Sequence, residues 1–133
     1  MIGRLHHVII DTPDPEAAAA FYSELLGLPV TYRSRDFVVV AADDTTSGVA
    51  FQLAPDHQPP RWPDPTRPQQ VHLDVMVDDV DAAGPRVLAL GAELLDRTSH
   101  VYADPHGHPF CLIPRPGWAP PIGKGEESPG PAS

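Results

Sequence analysis

The chain states one pattern twice. His7, Asp14 and Gly27 in HHVIIDTPDPEAAAAFYSELLGL return as His72, Asp79 and Gly91 in VHLDVMVDDVDAAGPRVLALGA, displaced by 65, 65 and 64 residues. An internal repeat at near-constant offset implies two copies of one supersecondary unit, which restricts the fold more than composition does. If the two copies close on each other about a pseudo-twofold axis, His7 and His72 face one shared space.

Each copy reads as a strand, a helix and three short strands. Residues 5–11 form a β-rich run ending at Asp11. Asp14, Pro15 and Glu16 supply an N-cap acceptor and a first-turn proline; Ala17, Phe21 and Leu25 then recur at helical spacing, and Gly27 is a left-handed stop. Strands are predicted at 30–33, 37–41 and 49–54, with Asp43, Asp44, Ser47 and Gly48 turning the chain between the last two. In the second copy the strand is 71–77 and the helical stripe is Val80, Ala83, Val87 and Leu90. Gly84 and Pro85 interrupt that stripe, so the helix is expected to start near Pro85. Strands at 93–96, 99–103 and 109–114 complete the unit, the last pair joined by the turn Asp104, Pro105, His106, Gly107.

The fold class is therefore α+β, built from two βαβββ modules over residues 4–54 and 70–115 of one domain, residues 1–115. Between them, 55–69 is a strap with six prolines around Trp62, a composition that favours extended polyproline geometry. Residues 116–133 are rich in Pro, Gly and Ser and read as a disordered tail.

Alternation along strands assigns the faces. Val71, Leu73, Val75 and Val77 must cover a helix, which turns His72, Asp74 and Met76 the other way. The same rule turns Gln52 away from the helix in the first copy, with His7, Ile9 and Asp11, and turns Cys111 away in the second. Four polar or reactive groups are thus expected to converge: His7, Gln52, His72 and Cys111.

Nine basic residues against eighteen acidic ones, with no Lys or Arg run, exclude a phosphate backbone or an anionic lipid surface as partner. The single cysteine rules out an internal disulfide, and MIGRLHHVII lacks the apolar length of an export signal, so the expected compartment is the cytoplasm.

Taken together, LHHVIIDTPDPEAAAAFYSELLGL, the strap, VHLDVMVDDVDAA, LGAELL and DPHGHPFCLI resemble the vicinal oxygen chelate superfamily, which holds glyoxalase I, extradiol dioxygenases, fosfomycin resistance enzymes and bleomycin resistance proteins. The strap, VHLDV and GHPFCL are similar to its glyoxalase-like subgroup. The resemblance implies a curved eight-strand mixed sheet forming a cup between the modules that holds a metal and a small molecule, in a homodimer. It implies metal ligands at His7, Gln52, His72 and Cys111. Cys111 stands where metal-dependent members carry a glutamate, so the iron site of extradiol cleavage cannot be assembled. Two states of the cup remain: a zinc site of His7, His72 and the Cys111 thiolate with Gln52 or water, or a cup without metal.

Asp74 keeps catalysis open, because it can orient His72 or act as a base. His72 and Asp74 are the candidate catalytic pair, and His7, Gln52, Trp62 and Cys111 the candidate ligand contacts. Asp74 also has a plain reading as a solvated strand aspartate, and Trp62 as strap packing. His106 and His108 read as solvent-exposed turn residues. The function expected is a glyoxalase-like enzyme on a small molecule, a lyase or isomerase if active, and the alternative is a drug- or metabolite-binding protein of bleomycin-resistance type.

Overall fold

A computed structural model describes residues 1–123. The first module runs β1 (His7–Thr12), α1 (Pro15–Leu26), β2 (Val30–Arg33), β3 (Phe37–Val40) and β4 (Gly48–Leu53). The second repeats it as β5 (Leu73–Val77), α2 (Val80–Ala89), β6 (Glu93–Asp96), β7 (Val101–Ala103) and β8 (Pro109–Pro114). The eight expected strands form two four-stranded mixed sheets, ordered β1-β4-β3-β2 and β5-β8-β7-β6. In each, the first and last strands of the module pair in parallel and the other pairs are antiparallel. The described chain packs as two compact units, Met1–Pro59 with Pro105–Gly107, and Pro60–Asp104 with residues 108–123.

Local chemistry sets the helix limits. Asp14 is the N-cap of α1 and accepts from the Ala17 N–H at 3.0 Å, Pro15 follows it, and Gly27 closes the helix at φ 65°, the left-handed region. The buried face of α1 runs through Ala18, Ala19, Phe21 and Tyr22, whereas Ala17 is exposed. Tyr22 is 1% exposed and stacks on Phe51 of β4, with ring centroids 5.1 Å apart. With Val38 and Val40 it forms the helix-side core of the first sheet, and each such buried side chain contributes roughly 1.5–3 kcal/mol.

Helix α2 begins at Val80, five residues earlier than Pro85 suggested. The Asp79 carboxylate accepts from both Asp81 N–H and Ala82 N–H, and this cap outweighs the one internal hydrogen bond that Pro85 removes. Its buried face is Ala83, Gly84 and Val87; Leu90, placed in the stripe by spacing, is the exposed C-cap. Gly84 is required by packing, since a Cβ there would lie 2.7 Å from the Tyr102 hydroxyl. Val71 is likewise outside β5 and 70% exposed, so the helix-side face of the second sheet starts at Leu73.

Two further expectations change. The strap is not uniformly extended: Arg61 N–H donates to Arg67 O, Asp64 N–H to Arg61 O and Arg67 N–H to Asp64 O, closing a loop that contains Trp62. Asp64 nucleates it by accepting from the backbone and hydroxyl of Thr66. The chain after Pro114 is also anchored. Ala119 is buried, Arg115 Nη1 donates to its carbonyl, and Asp78 Oδ1 accepts from Arg115 Nε at 2.8 Å and from Ile122 N–H at 3.1 Å. The rest of the predicted tail, 124–133, lies outside the described residues.

Gly48 has no room for a side chain, because a Cβ would run into the Val40 carbonyl oxygen and sit 2.7 Å from the Ala41 Cβ. Gly48→Ala is therefore expected to lower stability in urea unfolding by about 1–3 kcal/mol, whereas Gly3→Ala, in open space, stays within about 0.5 kcal/mol. The Asp78 carboxyl is held below its ordinary 3.8 by the Ile122 N–H first and by Arg115 next. The folded chain thus binds fewer protons here than the unfolded one. The anchor is complete above that ordinary value and is lost as pH falls through the lowered one. In NMR, the Ile122 amide should move toward its random-coil position on acidification, and Asp78→Asn should show that position already at neutral pH.

Candidate functional site

In the second sheet, parallel pairing sets Asp74 of β5 directly beside Cys111 of β8. Residues paired this way project to the same side of the sheet, away from the helix-side residues Leu73, Val75, Phe110 and Leu112. His72 immediately precedes β5 and turns its ring to the same carboxylate, with Nε2 3.4 Å from Asp74 Oδ1. One ligand-type atom from each of His72, Asp74 and Cys111 lies within 4.8 Å of the other two. The imidazole and carboxylate are half exposed, and the thiol is partly buried.

The charges are coupled. Burial pushes the Cys111 thiol up from its ordinary 9.0, and the Asp74 charge and its hydrogen bond to the thiol push it further. At neutral pH the sulfur keeps its proton and donates it to the carboxylate, so it is not a ready thiolate nucleophile. Asp74 therefore stands between an imidazole nitrogen 3.4 Å away and a thiol that donates to it.

The first module lacks this arrangement. The residue corresponding to Asp74 at the repeat offset is Ile9, and its partner across the parallel pair is Ala50. Gln52 lies two residues farther along β4, paired with Asp11 and Phe37, and it is exposed. His7 turns elsewhere: its Nδ1 accepts the Gly48 N–H at 3.0 Å. An acceptor at Nδ1 leaves the proton of the neutral ring on Nε2. Burial, then the neighbouring His6 ring 4.0 Å away, holds the His7 pKa below its ordinary 6.5. Trp62 is half-buried in its loop. The sequence expectation thus named three residues that gather, His72, Asp74 and Cys111, and two, His7 and Gln52, that belong to the first sheet.

His108 is not a solvent-exposed turn residue. Its side chain is 16% exposed, and its Nδ1 lies 2.8 Å from Oδ2 of Asp104, a carboxylate only 1% exposed. Asp104 Oδ1 also accepts the His108 N–H, and Asp104 N–H donates to the His108 carbonyl. The spacing of four residues across DPHGH carried this signal, because an aspartate opening a tight turn commonly accepts from the residue that closes it.

The fold is the one seen in glyoxalase/bleomycin resistance proteins. It superposes on a glyoxalase/bleomycin resistance protein/dioxygenase family enzyme from Burkholderia phytofirmans PsJN with a TM-score of 0.65 at 22% identity, over 83% of this chain and 97% of that one. A glyoxalase-related enzyme from Fulvimarina pelagi gives 0.60 at 22% identity over 86% and 90%, and the fosfomycin resistance protein FosX of Mesorhizobium loti 0.60 at 17% over 89% and 96%. No curated protein matches the chain. Within that class it belongs to the glyoxalase-like family, whose domain model matches residues 7–113. Among the described residues, no helix is long and apolar enough to cross a membrane.

The donors at the positions named by the resemblance are not an oxygen-rich set for a metal ion. Alanine occupies the first-module position that corresponds to Cys111, the Nδ1 lone pair of His7 is engaged by Gly48, and a protonated thiol replaces the last carboxylate. No catalytic step is assigned to such an ion. The two histidine–aspartate pairs should separate on mutation. Asp104→Ala strips a partly buried imidazole and backbone N–H of their acceptor and is expected to cost about 1–3 kcal/mol in urea unfolding, while the half-exposed His72→Ala stays within about 0.5 kcal/mol.

Proposed function

We propose that this chain is a small-molecule enzyme of the glyoxalase-like family that moves a proton next to a carbonyl, an isomerase or lyase reaction. The observation that supports it is the approach of His72 Nε2 to the Asp74 carboxylate at 3.4 Å, on a sheet face where Cys111 also stands. In this reading the pair works as general base and conjugate acid. His72 takes the proton from carbon, Asp74 holds the imidazolium that results, and the same proton returns to the neighbouring carbon or leaves with a departing group. The Cys111 S–H keeps the carboxylate turned toward the histidine.

The formal charge of −9 favours neutral or cationic substrates over polyphosphates. The homodimer and the cytoplasmic location expected from the sequence belong to the same reading. Binding without turnover, as in bleomycin resistance, is its rival and is supported by the half-exposed state of both His72 and Asp74.

Solvent deuterium exchange at carbon, followed by NMR over a panel of small hydroxy- and dicarbonyl compounds, tests the proposal. At least one compound is expected to exchange, and His72→Ala or Asp74→Asn should slow it about 100- to 10,000-fold with circular dichroism unchanged. Exchange that ignores both substitutions, or a compound bound and never exchanged, would sink the enzymatic reading.

A further inference from the structure

We propose that His72, Asp74 and Cys111 form a zinc site contained within the second module, with imidazole nitrogen, carboxylate oxygen and thiolate sulfur as three ligands and the fourth position open. Among the described residues this is the one place where three such donors gather. It differs from the superfamily's set in membership and in chemistry: Asp74 joins it, no donor from the first module takes part, and sulfur replaces a hard oxygen.

Geometry supports it. Zinc holds nitrogen and oxygen at about 2.0–2.2 Å and sulfur at about 2.3 Å, so neighbouring ligand atoms of a tetrahedral site stand roughly 3.3–3.8 Å apart. His72 Nε2 and Asp74 Oδ1 are already at 3.4 Å, and no separation in the trio exceeds 4.8 Å. The residual closure is about an ångström for side chains on the open face of the sheet, well within rotamer adjustment. Direct pairing of Asp74 with Cys111 fixes the backbone beneath two of the ligands, so binding orders little that is not already ordered.

Donor type then selects the ion. A thiolate disfavours magnesium and calcium, which take oxygen shells, and a mixed nitrogen, oxygen and sulfur set suits zinc. Three protein ligands with a vacant fourth position is the pattern of catalytic rather than structural zinc. On binding, the S–H bond breaks, its proton passes to solvent, and the sulfur lone pair forms the metal bond. A cation there also reverses the local field, since the thiolate and Asp74 repel each other without it.

The inference uses the same residues as the proposed enzyme and goes beyond that reading, because while the ion is bound the coordinated His72 is not the free base and the Cys111 sulfur carries no proton; its test does not use turnover. Tag-free full-length protein, stripped with chelator, is titrated with cobalt(II) as spectroscopic probe and then with zinc in competition. Saturation at one ion per chain is expected, with a thiolate-to-cobalt charge-transfer band in the near ultraviolet. Cys111→Ser should abolish that band. Asp74→Asn should weaken zinc affinity at least about 10-fold, because even residues that only support a ligand are worth about 10–100-fold. His7→Ala and Gln52→Ala should leave both readouts unchanged.

Absence of the band, indifference to Cys111→Ser and Asp74→Asn, or equal loss in His7→Ala would each overturn the site. Deuterium exchange that persists in the metal-free protein while titration finds no zinc would overturn this inference and leave the proposed enzyme standing. Zinc binding as described, with no exchange on any compound, would do the reverse.

Discussion

Parallel pairing of the first and last strand of each βαβββ module is the constraint on which the rest depends. A strand that returns beside its own starting strand after a helix and a hairpin sets, residue by residue, which side chains stand level with each other. In the second module it brings Asp74 to Cys111; in the first, the same rule brings Ile9 to Ala50. A shift of one residue in either pairing would turn every side chain of the strand to the opposite face and exchange core for site. The aromatic contacts on the helix side, Tyr22 on Phe51 and Tyr102 on Phe110, pack against this pairing.

The duplication has therefore kept the scaffold and divided the chemistry. Both copies retain an aspartate N-cap, a glycine after the helix and a histidine at the start of the first strand. One copy spends its level positions on hydrocarbon and uses its histidine as an acceptor for Gly48, while the other collects imidazole, carboxylate and thiol.

The two histidine–aspartate pairs differ in burial. Asp104 and His108 lie 2.8 Å apart, nearly sealed from solvent, and tie the two ends of a hairpin together. His72 and Asp74 are farther apart and half exposed, open to whatever approaches the face. The first pair derives its strength from satisfied buried hydrogen bonds. In the second, both side chains stay open to solvent.

The sequence alone determined the architecture: the 65-residue repeat set two modules, and the limits of α1 around Asp14 and Gly27, together with most strand bounds, follow from capping and alternation that act over a few residues. It also placed His72, Asp74 and Cys111 on one side of their sheet, since period-two alternation needs no tertiary information. It could not decide level. Gln52 has the correct face but pairs with Asp11, and only the strand register, set by long-range packing, puts Ala50 where a ligand was expected. The early start of α2, the closed loop around Trp62 and the burial of His108 were likewise decided in three dimensions. In each, a hydrogen bond accepted by the carboxylate of Asp79, Asp64 or Asp104 overrode the local preference of proline, or of a polar turn, for extended or solvated backbone.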